Sequence, residues 1–537
     1  MNGWYDLKKR FPKNKLIIYI IVTSTNRASA IVNTLLASSG LSGGGGEGGN
    51  YEPQASDIAR DVNGEPLDLV SLSLAVGARV VSYRSPESES VRYLMSEAVR
   101  LYLDLAPTNN SEDGEDDACD VSTVSTTTTS VFYKRAVMRE LPHVQLKADT
   151  APLKLARDVR SYQVECGFLA SKACTSLLDN ANIYLPHPLR SELVVVEGSP
   201  MDTRFSTMLE DFSPNKGWMQ KGILTEKEEV VCCVRSVARW HAFFWNGRVG
   251  KEHDPGSEVA EELDKAVWDS GCYWSPQKQG RSLTGKIAAK WEEHRFAVVF
   301  GDAVLNGEGA ITDPEELRTL GERLQNGAME RADAVHLSDG FQGVEGADPN
   351  NLLQSTRSRD HPQRTLIHGD LKAANMFFRK NTADGGMKAG KKTKEGEGEL
   401  ECALIDFQWA GHGLGAVDLA YFIAASVAPE LLQGDGEKSI IEAYYVALQK
   451  ALVEFGAAAS KEAAETMITR STLLMQYETA LLDLFRIVVS YHWPRIKACP
   501  EVLKKKAGGV GVNGYNKNVQ QARWLILTCN RLLKNKV

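Results

Sequence analysis

The sequence predicts an α+β protein with two lobes, a small one built on an antiparallel sheet and a larger one that is mostly helical. Short apolar segments typical of strands are concentrated before residue 212, and mainly helical patterns follow. One buried pair of strands, within 365–378 and 403–408, interrupts the helical part. With 537 residues, the chain is long enough to form two such lobes.

These patterns divide the chain into three parts. Residues 1–64 are predicted to be a basic leader and a Gly-rich linker without stable structure. The small lobe is expected at 65–207 and the large lobe at 208–537. Within the large lobe, residues 379–399 are rich in Lys, Gly and Glu, and they are predicted to be a disordered insertion because they contain too little apolar surface to bury.

The leader allows two interpretations. Residues 1–46 contain one acidic residue against six basic ones, and they include the apolar run Leu16–Val22. This pattern is typical of a targeting segment, but a disordered basic tail has the same composition. We expect a cytoplasmic protein, and organellar targeting by the basic N-terminus stays open.

Composition argues against several classes of protein. With 62 basic and 69 acidic residues the net charge is −7, so no basic excess indicates a nucleic-acid partner. The longest apolar run near the N-terminus is far shorter than a membrane span requires. Nine scattered cysteines without a C-x-x-C pair indicate neither a structural zinc site nor a disulfide framework. Nothing in the sequence indicates an oligomer.

The small lobe is predicted to combine strands with one helix. Lys134 lies on the third strand, and the alternation of side chains along a strand directs its neighbour Arg135 to the opposite face. The predicted elements are strands at Ala78–Tyr83, Ala98–Leu105 and Ser130–Met138, a helix at Leu153–Leu178, and a strand pair at Val194–Val196 and Phe205–Phe212.

The strand pair in the large lobe carries the most informative residues. Asp370 and Asn375 lie five positions apart in a polar loop, and Asp406 follows the next buried strand. Oxygen ligands of this kind suit Mg²⁺, which proteins usually hold with one or two side chains plus substrate phosphates. Asn375 and Asp406 fit that role. Asp370 is then left to accept a proton from an attacking hydroxyl.

This pattern, His-Gly-Asp-x-x-x-x-Asn followed by Asp-Phe-Gln, resembles the catalytic loop and Asp-Phe-Gly motif of protein kinases. Gly369 replaces the usual arginine, only eleven residues separate Asp406 from Asp418, and no Ala-Pro-Glu follows. The chain is more similar to the aminoglycoside phosphotransferase and choline kinase superfamily, and within it to the CHK kinase-like branch with the ecdysteroid-kinase-like proteins. The resemblance covers roughly residues 75–535 and implies a bilobal protein-kinase-like fold.

The resemblance also implies roles for residues outside this strand pair. Lys134 stands where kinases carry the lysine that contacts the α- and β-phosphates of ATP, and Glu165 of Ser-Tyr-x-x-Glu would hold its ammonium. For Lys134 alone, an exposed strand lysine is the alternative. His368 and Asp418 would brace the catalytic loop, although an acid at a helix start can simply cap it. The hinge that meets adenine is expected at Met208, Leu209, Glu210 and Asp211.

The resemblance implies an ATP- and Mg²⁺-dependent phosphotransferase that acts on the hydroxyl of a small-molecule alcohol. A catalytically weak or inactive kinase-like binding protein is the alternative, favoured by the absence of glycine from the expected phosphate-covering loop at 85–96. A protein kinase is less well supported because a long activation segment is missing. Asp483 and Arg486, three positions apart on a helix, form either a local ion pair or a border of the acceptor cleft. The sequence does not identify the acceptor.

Overall fold

In the computed structural model of the chain, the described residues are 16–21, 59–92, 96–107, 126–141, 144, 151–196, 199–337, 361–380 and 400–534. The chain divides into two compact units. Unit 1 is Met1–Ala170 with Pro186–Ser213, and unit 2 is Ser171–Leu185 with Pro214–Val537. The predicted lobe boundaries, 65–207 and 208–537, stay a prediction. Across the described residues, no helix has both the length and the apolar character needed to cross a membrane.

Unit 1 contains an antiparallel sheet with seven strands among its described residues, in the order β1-β6-β7-β5-β4-β2, and β3 pairs with β4. Helix α1 spans Leu69–Val76 and helix α2 spans Pro152–Ala170. The strands are β1 (Leu16–Ile21), β2 (Val80–Arg84), β3 (Ser90–Arg92), β4 (Glu97–Leu105), β5 (Thr127–Val137), β6 (Pro188–Val196) and β7 (Arg204–Glu210).

Alternation along the strands gives this sheet two buried faces. Val131 and Tyr133 of β5 pack in one cluster with Leu72 of α1. Ala136 of β5 packs in a second cluster with Tyr162 of α2. Odd-numbered residues of β5 therefore face α1, and even-numbered residues face α2.

Unit 1 differs from the sequence prediction in two places. Residues 16–21, within the predicted disordered leader, form an edge strand that pairs with β6 along its whole length, in keeping with the β-branched isoleucines of this segment. The predicted helix Leu153–Leu178 is two helices, because Ser171 accepts a hydrogen bond from the Cys174 amide and starts a new one. The rest of the leader and linker lies outside the described residues, apart from 59–64.

Unit 2 is mainly helical. Its α-helices are α3 (Lys172–Asn180), α4 (Lys227–Phe243), α5 (Glu258–Ala266), α6 (Pro276–Gln279), α7 (Ile287–Glu293), α8 (Phe296–Val299), α9 (Gly301–Val304), α10 (Pro314–Arg318), α11 (Leu320–Gln325), α12 (Ala328–His336), α13 (Gly415–Ser426), α14 (Gly436–Glu454), α15 (Lys461–Met467), α16 (Arg470–Ile487), α17 (Trp493–Ile496), α18 (Pro500–Lys505) and α19 (Val519–Lys534). Helix α13 is buried along its whole length and packs against α16.

Two small sheets in unit 2 position the loop that carries Asp370. Strand β10 (Met376–Lys380) pairs with β11 (Leu400–Leu404) and with the two-residue strand β8 (Met219–Gln220). The strand before the loop, β9 (Arg364–Ile367), pairs with β12 (Gly411–Leu414) instead of β10. The strand pair predicted within 365–378 and 403–408 is thus present, with residues 376–378 opposite 402–404. Residues 379 and 380 of the predicted insertion belong to β10, and 381–399 lie outside the described residues. The predicted α+β architecture is confirmed.

Candidate active site

The loop that carries Asp370 has a backbone that only glycine fits at residue 369. Gly369 has φ +79°, in the left-handed region. A Cβ built there would lie 2.3 Å from the Trp409 carbonyl oxygen and 2.6 Å from the Cys272 amide nitrogen. Two neighbouring backbone segments therefore exclude any side chain at the position where many protein kinases carry arginine.

Asp418 holds this loop through its backbone. The amides of His368 and Gly369 donate to its two carboxylate oxygens at 2.6 and 2.9 Å. Asp418 lies in the first turn of α13, whose N-cap residue Leu414 makes no side-chain capping bond. The His368 ring adds a 2.9 Å contact from Nε2 to the Ile405 carbonyl oxygen. Both residues thus occupy positions from which they brace the loop.

Asp370 is surrounded by hydrogen-bond donors. Lys372 Nζ lies 2.7 Å from its Oδ2, and Asn375 Nδ2 lies 3.2 Å from the same oxygen. The hydroxyl of Tyr421 donates to Oδ1 at 2.9 Å. Because Asp370 is only 6% exposed, these contacts stabilise the carboxylate in one orientation.

Lys372 and Tyr421 are site residues that the motif analysis did not identify. Burial alone would lower the pKa of the Lys372 ammonium, but Asp370, and then Asp406, raise it above its ordinary value. Lys372 is therefore a fixed positive charge close to both acids. Lys372 lies inside the loop motif, and Tyr421 lies three residues after Asp418 in the stretch Asp-Leu-Ala-Tyr-Phe that also resembles the family, so both positions were usable signals. Neither pattern assigned a contact with Asp370 to these side chains.

Asn375 and Asp406 stand at neighbouring strand ends. The Ile405 amide donates to the Asn375 carbonyl oxygen at 3.0 Å, so the residue that pairs with Asn375 is the one immediately before Asp406. The Asn375 side-chain nitrogen donates to the Asp370 main-chain oxygen at 2.9 Å, so its Oδ1 is the atom left for a cation. Asp406 has φ +69°, a strained conformation for a residue other than glycine and common at functional sites.

This donor set fits Mg²⁺. The amide oxygen and the carboxylate are hard ligands, and phosphates normally supply the remaining ones. Across the described residues, no group of three or more His, Cys, Asp or Glu side chains could hold a metal ion on its own. A site with two protein ligands that is completed by a nucleotide is consistent with that finding.

In unit 1, the structure brings Lys134 and Glu165 together. Lys134 Nζ lies 2.7 and 3.1 Å from the two carboxylate oxygens, and the side chains are 10% and 2% exposed. Lys134 points toward α2 because it is an even-numbered residue of β5. Arg135 points the other way, where it pairs with Glu140 at 2.7 Å. The contact does not fit the alternative of an exposed strand lysine.

The four hinge candidates differ in their surroundings. Met208 and Leu209 lie inside β7, whose backbone is paired with β5 on one side and β6 on the other. The Glu210 amide donates to the His187 carbonyl oxygen at 2.9 Å. Asp211 is the first residue after the strand, and its carboxylate binds Arg100 at 2.7 Å. Of the four candidates, three lie within β7 and Asp211 follows its end.

The expected phosphate-covering loop lies between β2 and β4. Strand β3 occupies part of it and pairs with β4. Glu89, at its start, binds Arg100 at 2.8 Å, and Ser96 is buried. Residues 93–95 lie outside the described part of the chain, and the location of this loop stays a prediction.

Asp483 and Arg486 form a core ion pair. Arg486 Nε lies 2.6 Å from Asp483 Oδ1, and His336 Nε2 lies 2.8 Å from Oδ2. Although burial opposes it, Arg486 and His336 hold the pKa of Asp483 well below its usual range. Each member of the pair is only 1% exposed, so the ion-pair interpretation fits better than contact with a substrate.

A comparison with known protein families matches one segment of unit 2. Residues 328–457 match the model of the ecdysteroid kinase-like family. The match includes Asp370, Asn375, Asp406 and Asp418, and it does not extend to unit 1. No curated protein matches the chain. Residues 328–457 are therefore similar to the ecdysteroid kinase-like family, which is part of the choline and ecdysteroid kinase-like branch of the aminoglycoside phosphotransferase superfamily.

Proposed function

We propose that the protein transfers the γ-phosphoryl group of ATP to a hydroxyl group of a small molecule. The observation that carries this proposal is the surroundings of Asp370. Its buried carboxylate is oriented by three donors and lies in the same loop as Asn375, beside the strand end that carries Asp406. The family match supports a kinase-like phosphotransferase of small molecules.

In the proposed reaction, the acceptor oxygen forms a bond to the γ-phosphorus of ATP while the bond from that phosphorus to the bridging oxygen breaks. ADP leaves with the electron pair of the broken bond, and the acceptor proton passes to Asp370. Phosphoryl transfer depends mainly on positioning and charge stabilisation. The fixed ammonium of Lys372 provides positive charge next to the carboxylate that receives the proton.

The other polar residues would bind and orient the nucleotide. Asn375 and Asp406 would hold Mg²⁺, which supplies charge neutralisation at the β- and γ-phosphates when bound. Lys134, oriented by Glu165, would contact the α- and β-phosphates. The backbone of the hinge candidates, Met208 to Asp211, would meet the adenine ring. Binding and transfer thus depend on different residues, and experiments can separate them.

A screen of alcohols tests this function. The full-length protein is incubated with Mg·ATP and a panel that includes an ecdysteroid, choline and kanamycin, and phosphate monoesters are detected by mass spectrometry. We expect an ATP-dependent monoester of at least one alcohol. Calorimetry with Mg·ATP provides the control. Tight binding without any product across a broad library would favour the kinase-like binding protein.

A further inference from the structure

We propose that Tyr421 is a positioning residue that orients the Asp370 carboxylate, so that Oδ1 is the oxygen that accepts the proton of the acceptor alcohol. This inference rests on the proposed function. It assigns different roles to the two oxygens of the Asp370 carboxylate, and the loop motif does not specify these roles.

The two oxygens of Asp370 have different neighbours. Oδ2 accepts hydrogen bonds from Lys372 Nζ, at 2.7 Å, and from Asn375 Nδ2, at 3.2 Å. Among the described residues, the donor to Oδ1 is Tyr421. Each carboxylate oxygen offers about two lone-pair directions. Oδ2 is therefore fully used, and Oδ1 keeps one direction for an incoming hydroxyl.

Tyr421 is itself fixed by packing. It is 1% exposed, and its ring lies 4.7 Å from the ring of Trp274 and 5.8 Å from that of Tyr273. Burial and the nearby Asp370 raise the pKa of its phenol well above the ordinary value. The phenol therefore keeps its proton near neutral pH and remains a donor.

A second contact joins Tyr421 to the Gly-rich segment before α19. Asn513 Oδ1 lies 3.2 Å from the Tyr421 oxygen, and Asn513 Nδ2 donates to Tyr515 at 2.6 Å. A phenol has one proton to donate. The shorter contact and the charge of the acceptor both favour donation to Asp370. Asn513 Oδ1 is itself an acceptor, and it receives no proton from Tyr421 in this arrangement.

Removal of the Tyr421 hydroxyl should allow the carboxylate to turn about its Cβ–Cγ bond. Nucleotide binding uses other residues, so the KM for ATP should not change. Misplacement of a catalytic group by a fraction of an ångström lowers the rate of the chemical step, and displacement by about 1 Å can cost about 100-fold. We expect Tyr421→Phe to lower kcat by about 10- to 100-fold.

Tyr477→Phe is the matched control. Tyr477 is also 1% exposed and also donates to a carboxylate, Glu437 Oε1, at 2.8 Å, but it has no contact with Asp370. Both variants lose one buried hydroxyl, so their thermal midpoints should fall by similar amounts. Only Tyr421→Phe should have a lower kcat than the wild-type protein. 4-Aminophenylalanine at position 421 restores a donor and should recover part of the rate.

The experiment combines kinetics on the alcohol panel with crystal structures of the wild-type protein and both variants. Equal kcat for the two variants, or an unchanged Asp370 orientation in Tyr421→Phe, would overturn the role of Tyr421. A wild-type protein that phosphorylates no alcohol would contradict the proposed function instead. In that case, the orientation of Asp370 in the variant crystals still decides whether Tyr421 positions it.

Discussion

At the scale of single residues, the loop that carries Asp370 depends on side chains and on one position where no side chain fits. Gly369 combines a left-handed backbone with two close backbone neighbours. Gly369→Ala should therefore displace the loop that carries Asp370 and strongly reduce transfer. Gly256→Ala is a matched control, because Gly256 has φ +80° and nothing within 4 Å of a Cβ.

In both variants, an alanine in the left-handed conformation should lower the free energy of unfolding by about 1 kcal/mol. Denaturant unfolding of the two proteins measures this loss. The clash adds to that loss only at position 369. Loss of transfer in Gly369→Ala together with normal activity in Gly256→Ala is the expected result. Equal activity in the two would show that the loop tolerates a side chain.

Asp406 provides the test of the proposed metal site. Asp406→Ala removes the carboxylate at the end of β11 and leaves one protein oxygen, that of Asn375. We expect the affinity for ATP to lose its dependence on Mg²⁺. Titration calorimetry with and without Mg²⁺ measures this dependence. Asp264→Ala is the control for the loss of an acid, because it removes a half-buried carboxylate that is paired with His412. Unchanged Mg²⁺ dependence would place the metal ligand elsewhere.

At the scale of elements, the alternation of side chains along β5 places Lys134 and Arg135 on opposite faces of the sheet. Lys134→Met should lower ATP affinity by about 10- to 100-fold, the value of a charge-assisted hydrogen bond. Arg135→Met also removes a buried charge, on the opposite face and next to Glu140. It should destabilise unit 1 and leave ATP affinity nearly intact. Similar affinities in both variants would contradict the proposed role of Lys134.

Strands β10 and β11 provide a second test. Their paired ends are held by Arg379, which lies 2.6 Å from Glu401 and 4.4 Å from the centre of the Trp218 ring. A short turn in place of residues 383–397 should leave transfer largely unchanged, because loop closure costs only about 0.6 kcal/mol per doubling of loop length. A variant that folds and binds Mg·ATP but loses transfer would make the insertion part of the acceptor site.

Local patterns predicted most of these elements. The strands around Lys134 and the pairing of β10 with β11 follow from apolar periodicity, which is a property of neighbouring residues. The helix break at Ser171 was missed because one capping side chain decides it. The pairing of β9 with β12 was also missed, since register between distant segments depends on tertiary contacts. For the same reason, motif reading found Asp370, Asn375 and Asp406 but not Tyr421.

At the scale of the whole molecule, the two units contribute different chemistry to the proposed reaction. Unit 1 contains Lys134 with Glu165, and unit 2 contains the loop with Asp370 and the expected metal ligands. The family match covers only the second set. The identity of the acceptor depends on side chains that lie far apart in the sequence, which no local pattern brings together.

The central claim is that Asp370 accepts the proton of an alcohol in a reaction that consumes ATP. One measurement tests it most directly: single-turnover transfer from γ-labelled ATP by Asp370→Asn, with calorimetry of Mg·ATP on the same sample. Loss of a catalytic base typically lowers the rate by about 10²–10⁴-fold. We predict a loss of that size with nearly unchanged nucleotide affinity. Transfer within a few-fold of the wild-type rate would contradict the account.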